Sequence, residues 1–282
     1  MKRVIFSLLL ALWSVCAIGA TDTDSLLIVK ADWTVKTTQE GLTHKQAHIK
    51  GLYNSIQSIN LIEIPRFAKR KIGIAGNEGM KKTSQQATEK GALAAVNGTY
   101  YNMKVGNSVC YYKIGKELID TTTNGEFKSR VNGAIREVKG NIDIIEWSKE
   151  IESNYKKKKG TVLASGPIMV NDGQLSDWSK CSKSFIDTRH PRSAIFTKKD
   201  GTVVFVTVDG RSQGNADGMS IPELAYLVKV LGAEEAINLD GGGSTTLWLK
   251  GAPDNGVLNY PCDNKRFDHA GERSVSNIFY VK

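Results

Sequence analysis

Two aspartates stand at the ends of apolar runs and are each followed by glycine: Asp209 closes Thr202–Val208, and Asp240 closes Glu235–Leu239. A carboxyl group at a strand end faces a cleft more readily than a core, and there it can serve as acid, base or nucleophile. The competing reading of each is a turn aspartate bonded to nearby backbone. Asp240 opens the run Gly241, Gly242, Gly243, Ser244, Thr245. Three successive glycines let main-chain N–H groups approach an anion closely, the alternative being a tight turn between strands. Nucleotide-binding patterns do not fit, because the run lacks the lysine of a phosphate-binding loop and no Gly-x-Gly-x-x-Gly turn opens a helix. Arg192 in RHPRSAIF and Arg273 in GERSVSNIFYV each precede a strand-like run, which sets a planar guanidinium fork at a strand entrance. Asn97 in AAVNGTYYN follows a small apolar run, and Ser165 and Gly166 in SGPIMVNDG follow a strand ending at Ala164. Ser165 lacks the Gly-x-Ser-x-Gly surroundings of a hydrolase nucleophile.

Positioning the two aspartates falls to a strand, a helix and a second strand. Ser220 and Glu223 have capping-box spacing, Pro222 is tolerated in the first turn, and Gly232 ends the helix. Leu224, Leu227, Val228 and Leu231 give it one apolar face. If the flanking strands run parallel, the two carboxylates lie at neighbouring strand ends. Upstream, Gln85–Ala95 reads as a helix; Val131–Val138, Ile142–Trp147 and Val162–Ala164 read as strands. Leu26–Val29 and Ile59–Ile62 also have strand character. His44 and His48 would share one face of a helix, but Lys45 replaces the glutamate of a zinc-protease motif. In a strand the two rings are about 13 Å apart. Both histidines are therefore expected to be surface residues, with no metal or cofactor required.

The chain has 282 residues, with 38 basic and 29 acidic side chains and a net charge of +9. Residues 1–20 have the layout of a secretory signal peptide: Lys2 and Arg3, an apolar run, then Ala17, Gly19 and Ala20. That run is too short to span a bilayer, so an exported protein, periplasmic or secreted, without stable membrane insertion is expected. Lipidation at Cys16 is a minor alternative. No low-complexity linker divides the remainder, which favours one domain. The lysine run from Lys156 to Lys159 reads as a solvated loop, and no nucleic-acid motif accompanies it. Oligomeric state is not legible.

In their order along the chain, VNGTYYNM, SGPIMVNDG, RSAIF, VFVTVDGRS, AINLDGGGSTTLWLKG and ERSVSNIFYV resemble the phosphodiester glycosidase family, with Thr99 where that family often has a second glycine. The resemblance implies an α+β fold: a single compact domain with a mixed β-sheet and packed helices, in which residues 21–90 form a strand-rich N-terminal part and residues 91–282 the glycosidase-like part. It also implies release of free sugar from a sugar-1-phosphodiester or phosphorylated glycan. Asp209 and Asp240 then act as nucleophile and base, in an unassigned order. Asn97, Thr99, Ser165, Gly166, Arg192, Gly241, Gly242, Gly243, Ser244, Thr245 and Arg273 line the substrate site, the arginines and the glycine amides holding phosphate oxygens. Cys181 and Cys262 precede two of the matching blocks, where a disulfide between them would tie two cleft loops together, leaving Cys110 free. The alternatives are a glycan- or phosphate-binding module without chemistry, and a metal-dependent phosphoesterase using Asp209, Asp240 and Asn238.

Overall fold

The structure is a computed structural model that describes residues 22–157 and 159–282. The expected signal peptide, together with Lys158 of the lysine run, lies outside the described residues. The first part of the chain forms α1 (Asp22–Val29), β1 (Thr34–Thr37), β2 (Thr43–Lys50), β3 (Ile56–Ile64), β4 (Ile72–Lys82), α2 (Thr83–Glu89) and β5 (Ala94–Asn97). The middle forms β6 (Tyr112–Ile114), β7 (Glu117–Asp120), α3 (Asn124–Ser129), β8 (Gly133–Val138), β9 (Asn141–Glu146), α4 (Lys149–Asn154), β10 (Thr161–Ser165), β11 (Ile168–Asn171) and β12 (Gln174–Leu175). The last part forms α5 (Lys183–Asp187), β13 (Arg192–Lys198), β14 (Val203–Val208), α6 (Ile221–Val230), β15 (Ala233–Asn238), β16 (Leu247–Leu249) and β17 (Ser274–Val281).

Three sheets result: an eight-stranded sheet in the order β1-β2-β3-β14-β13-β15-β11-β12, a five-stranded sheet β7-β6-β10-β8-β9, and a four-stranded sheet β16-β5-β17-β4. The α+β class holds, and the mixed pairing expected for the sheet resolves into ladders that are antiparallel throughout the named strands. Residues 22–90 are integral to this architecture, since β3 pairs with β14 and β4 with β17.

The central strands of the large sheet are buried on both faces, which explains why they read as unbroken apolar runs. Ala194, Phe196, Val204, Val206 and Val208 enter one core with Leu224, Leu227 and Val228 of α6. Their alternates Ile195, Phe205 and Ile237 enter a second core with Val96, Leu247 and Phe279 of the four-stranded sheet. Period-2 alternation thus divides one strand between two cores.

Capping of α6 is as expected: the Ser220 hydroxyl accepts from the Glu223 amide, and the Glu223 carboxylate accepts from the Ser220 amide at 2.8 Å. Two expectations are corrected. Leu26–Val29 belongs to a helix that buries Ile28 against the helix-side core, a short apolar run carrying too little periodicity to separate the two states. The expected helix Gln85–Ala95 ends at Glu89, because Gly91 takes a left-handed conformation (φ 62°) and frees Ala94–Asn97 to form a fully buried strand. HKQAH lies in β2; His44 is buried with its Nε2 3.1 Å from Asn60 Oδ1, contrary to a surface position, and His48 is exposed.

Candidate active site

Strands β14 and β15 both pair antiparallel with β13, so they run parallel to each other but are not neighbours. Their ends are two strand spacings apart, about 10 Å. Beyond those ends the two chains part company. Asp209 continues the alternation of Phe205 and Thr207 and turns toward the four-stranded sheet. There one carboxylate oxygen accepts from Ser58 Oγ at 2.7 Å, and the other from Asn259 Nδ2 at 3.0 Å and the Tyr260 amide at 2.8 Å. It is 1% exposed, which places it beneath the surface and out of reach of a ligand. Burial raises its pKa, against the lowering effect of those three donors.

Asp240 instead lines a pocket of about 240 Å³, together with Arg130, Phe185, His190, Pro191, Arg192, Arg211, Gly241, Gly242, Gly243 and Arg273. It is the only carboxylate among these residues. Its Oδ1 accepts from the Gly241 amide at 3.0 Å. Burial raises its pKa, opposed by the Ser244 hydroxyl, the Arg130 charge, the Gly241 amide and the Arg273 charge. The result is one partly buried carboxyl group in a pocket lined by four arginines.

Each arginine is held differently. Arg130 follows α3 and forks onto Glu126 at 2.7 and 2.9 Å, its guanidinium carbon 3.6 Å from the Tyr100 ring centroid. Arg273 is bonded to Asp263 through Nε and Nη2. Arg192, at the start of β13, donates from Nε to the Met219 carbonyl and from Nη2 to the Phe185 and Thr188 carbonyls. Burial pushes its pKa down to about 10, still charged at neutral pH. With those donors committed to backbone, Arg192 supplies positive charge and anchors the α5 loop; the bidentate fork expected of it is not free. Arg211 forms no ion pair among the described residues, and its Nη2 lies 3.2 Å from His190 Nδ1. Arginine only donates, so Nδ1 accepts and the histidine proton sits on Nε2. Burial, then the charges of Arg192 and Arg211, lower the His190 pKa and favour this neutral form.

The glycine run is explained by space more than by amide donation. The Gly241 amide is committed to Asp240, and that of Gly242 to the Pro191 carbonyl at 2.8 Å. That departs from the expected phosphate cradle. A side chain at Gly241 would strike the Pro191 carbonyl, and one at Gly243 the Arg273 guanidinium. Gly242 has φ 62° with the Arg211 guanidinium lying against it. Two arginines thus close on the turn because it carries no side chains.

The remaining expected residues form the scaffold under this turn. Asn97 donates to the Asp240 carbonyl at 2.7 Å and accepts from Ser193 Oγ and the Thr246 amide. Thr99 donates to the Ala164 carbonyl, Ser165 donates to the Asn238 carbonyl, and the Gly166 carbonyl accepts from Tyr100 and Asn238. Ser244 and Thr245 are buried in the turn. All are out of the pocket lining but fix its floor.

The expected Cys181–Cys262 disulfide is absent: Cys110, Cys181 and Cys262 are all free. Cys181 packs against the helix-side core, whereas Cys262 faces Arg211 on the pocket side, so they serve different loops. The metal-site reading fares no better. Asp209 has both oxygens engaged, and among the described residues no three His, Cys, Asp or Glu side chains gather as metal ligands.

Sequence reasoning missed Arg130, His190 and Arg211. Arg211 and His190 had signals, one directly after Asp209-Gly210 and the other two residues before Arg192. Arg130 had none, since its place depends on how α3 packs.

A fold of three antiparallel sheets thus carries an arginine-rich pocket at the strand ends around one carboxylate, a setting suited to an anionic ligand. Residues 90–282 match the sequence profile of the phosphodiester glycosidase family, and the chain belongs to that family. It is 24% identical over 211 residues to mouse N-acetylglucosamine-1-phosphodiester alpha-N-acetylglucosaminidase, covering 70% of this chain and 39% of the mouse enzyme. It is 30% identical over 141 residues to the SPbeta prophage-derived uncharacterized protein YomE of Bacillus subtilis strain 168, covering 48% of this chain and 22% of that protein. The chain therefore spans well under half the length of these relatives. In fold it is similar to the zebrafish N-acetylglucosamine-1-phosphodiester alpha-N-acetylglucosaminidase catalytic domain auto-inhibited by pro-peptide, with TM-score 0.62 at 19% identity over 88% of this chain and 81% of that one.

Proposed function

We propose that this chain is an exported hydrolase that cleaves the bond between the anomeric carbon and phosphate oxygen of a sugar-1-phosphodiester, releasing free sugar. The observation that carries this reading is the convergence of four arginines on one pocket-lining carboxyl group at a strand end. Membership of the family supports the reaction class; the signal-peptide layout of residues 1–20 supports export.

A phosphate monoester is a good leaving group, so the demand for a strong general acid is small and stabilisation of departing negative charge matters more. Arg211, which forms no ion pair among the described residues, takes the phosphate oxygens, and Arg273, its Nε and Nη2 held by Asp263, adds charge beside the glycine turn. Arg130 and Arg192 add charge from fixed positions. Asp240 either attacks the anomeric carbon or takes a proton from the attacking water. In both cases the carbon–oxygen bond breaks with its electron pair leaving on phosphate. The two-carboxylate scheme contracts to one residue, because Asp209 faces away.

Product analysis on an N-acetylglucosamine-1-phosphodiester is the test. Free sugar with a phosphate monoester is expected. Sugar 1-phosphate would mean phosphoester cleavage, and binding without turnover would leave only a phosphate-binding module.

A further inference from the structure

A second concave surface lies at the opposite end of the large sheet. It is a groove of about 610 Å³ formed by the end of β3, the turn before β4, the β8–β9 hairpin and the β13–β14 turn. Strand β13 has Arg192 of the catalytic pocket at one end and Lys198 of this groove at the other, about 20 Å apart by strand rise.

The groove is strongly basic. Arg66, Lys69, Lys71, Lys139 and Lys199 line it, all are exposed, and none forms an ion pair among the described residues. Glu234 is the single lining carboxylate. Two of these lysines are held in left-handed backbone conformations, Lys69 at φ 52° and Lys139 at φ 57°, which side-chain-bearing residues other than Asn and Asp rarely adopt. Glycines make room for two more: a side chain at Gly140 would strike Lys71, and one at Gly201 would strike Arg66. Local backbone preference is thus overridden to gather like charges, which repel unless an anion neutralises them.

We infer that this groove is a second anion-binding surface that holds a polymer of repeating phosphodiesters while one of its sugar–phosphate bonds is cut at the catalytic pocket. The inference rests on the proposed function for the identity of the polymer. Among the described residues that line the groove none is aromatic and the apolar ones are aliphatic, such as Ile64, Ile72 and Val203, with the exposed Phe67 outside the lining, which disfavours nucleic acid because base stacking would have little platform.

The test compares wild-type protein with the triple variant Lys69→Ala/Lys71→Ala/Lys139→Ala and the charge-retaining triple variant with arginine at the same positions. Binding to immobilised poly(glycerol phosphate) is measured across a salt series, beside turnover of a small sugar-1-phosphodiester. The alanine variant should lose polymer binding by about 10-fold or more at low salt, its log–log salt slope should fall by about 2, and its turnover of the small substrate should be unchanged. The arginine variant should bind like wild type. Undiminished polymer binding by the alanine variant would overturn the proposal, as would a parallel loss of small-substrate turnover. Equal competition by single-stranded DNA of the same charge would overturn the assignment to a phosphodiester polymer without bases. Binding is read without turnover, so failure of the glycosidase reading would show separately, as wild-type protein that retains the polymer but does not hydrolyse the small sugar-1-phosphodiester.

Discussion

Asp209 and Asp240 look alike in sequence and are opposite in structure. Both end an apolar strand of the same sheet, both precede glycine, and both have raised pKa values, although Asp209 is fully buried and Asp240 only partly. One has its oxygens satisfied by three neutral donors from β3 and the loop after β16; the other looks into a pocket of guanidinium groups. A raised pKa therefore does not mark the working carboxylate. What marks it is whether its partners belong to the fold or stand around open space.

The largest effect should come from breaking that contrast directly. Asp240→Asn should lower turnover by roughly 10²–10⁴-fold with little change in melting temperature. Asp209→Asn should keep turnover within a few-fold and lose about 1–3 kcal/mol of stability, because the new amide leaves one of its three donors without an acceptor. Steady-state kinetics and thermal unfolding of the two variants decide it; loss of turnover in folded Asp209→Asn protein would restore the two-carboxylate scheme.

A smaller effect sharpens the roles of the arginines around Asp240. Arg211→Lys keeps charge but loses the fork and should lower kcat/KM for a phosphodiester by roughly 10- to 100-fold, about 1.5–3 kcal/mol, whereas Arg273→Lys, its fork already held by Asp263, should lose less. An aryl glycoside of the same sugar, having no phosphate, should suffer much less. Arg192→Lys should instead act on stability and on both substrates alike, since its donors hold the Phe185, Thr188 and Met219 carbonyls. Equal losses on both substrates for Arg211→Lys would remove it from phosphate recognition.

The smallest effect is a displacement of the pH profile. Asp240 must be ionised to act as nucleophile or base, so activity should rise with pH through a midpoint above the ordinary aspartate value of 3.8. The positive charges of Arg130 and Arg273 hold that midpoint down. Arg130→Gln should therefore move the acid limb to higher pH, measured as kcat/KM against pH. A shift to lower pH would mean that the limb belongs to another group.

Much of this was legible in the sequence for identifiable reasons. The α6 cap could be read because Ser220, Pro222 and Glu223 act through neighbours three residues apart. The importance of NLDGGGSTT was legible too, since glycine needs a backbone reason wherever it clusters. The glycines' purpose was not, because Gly243 is set by Arg273 some thirty residues on. Arg192 was chosen for its fork, yet the side-chain parity that turns it toward α5 depends on which core lies above β13. The pairing of Cys181 with Cys262 failed for a similar reason, as closeness to matching blocks says nothing about which face of the fold a loop covers.

The place of β3 carries one more consequence. The family match begins at residue 90, but β3 lies earlier and zips along the whole of β14, from Val203 opposite Ile64 to Val208 opposite Ile59. A fragment trimmed to the matched residues would turn β14 into an edge: six residues, VVFVTV, with no charge, no proline and one row of backbone groups unpaired. That is the composition of an aggregation template. The stretch the family match covers is thus shorter than the stretch the sheet needs, and the N-terminal strands act as the built-in guard of the strand that ends at Asp209.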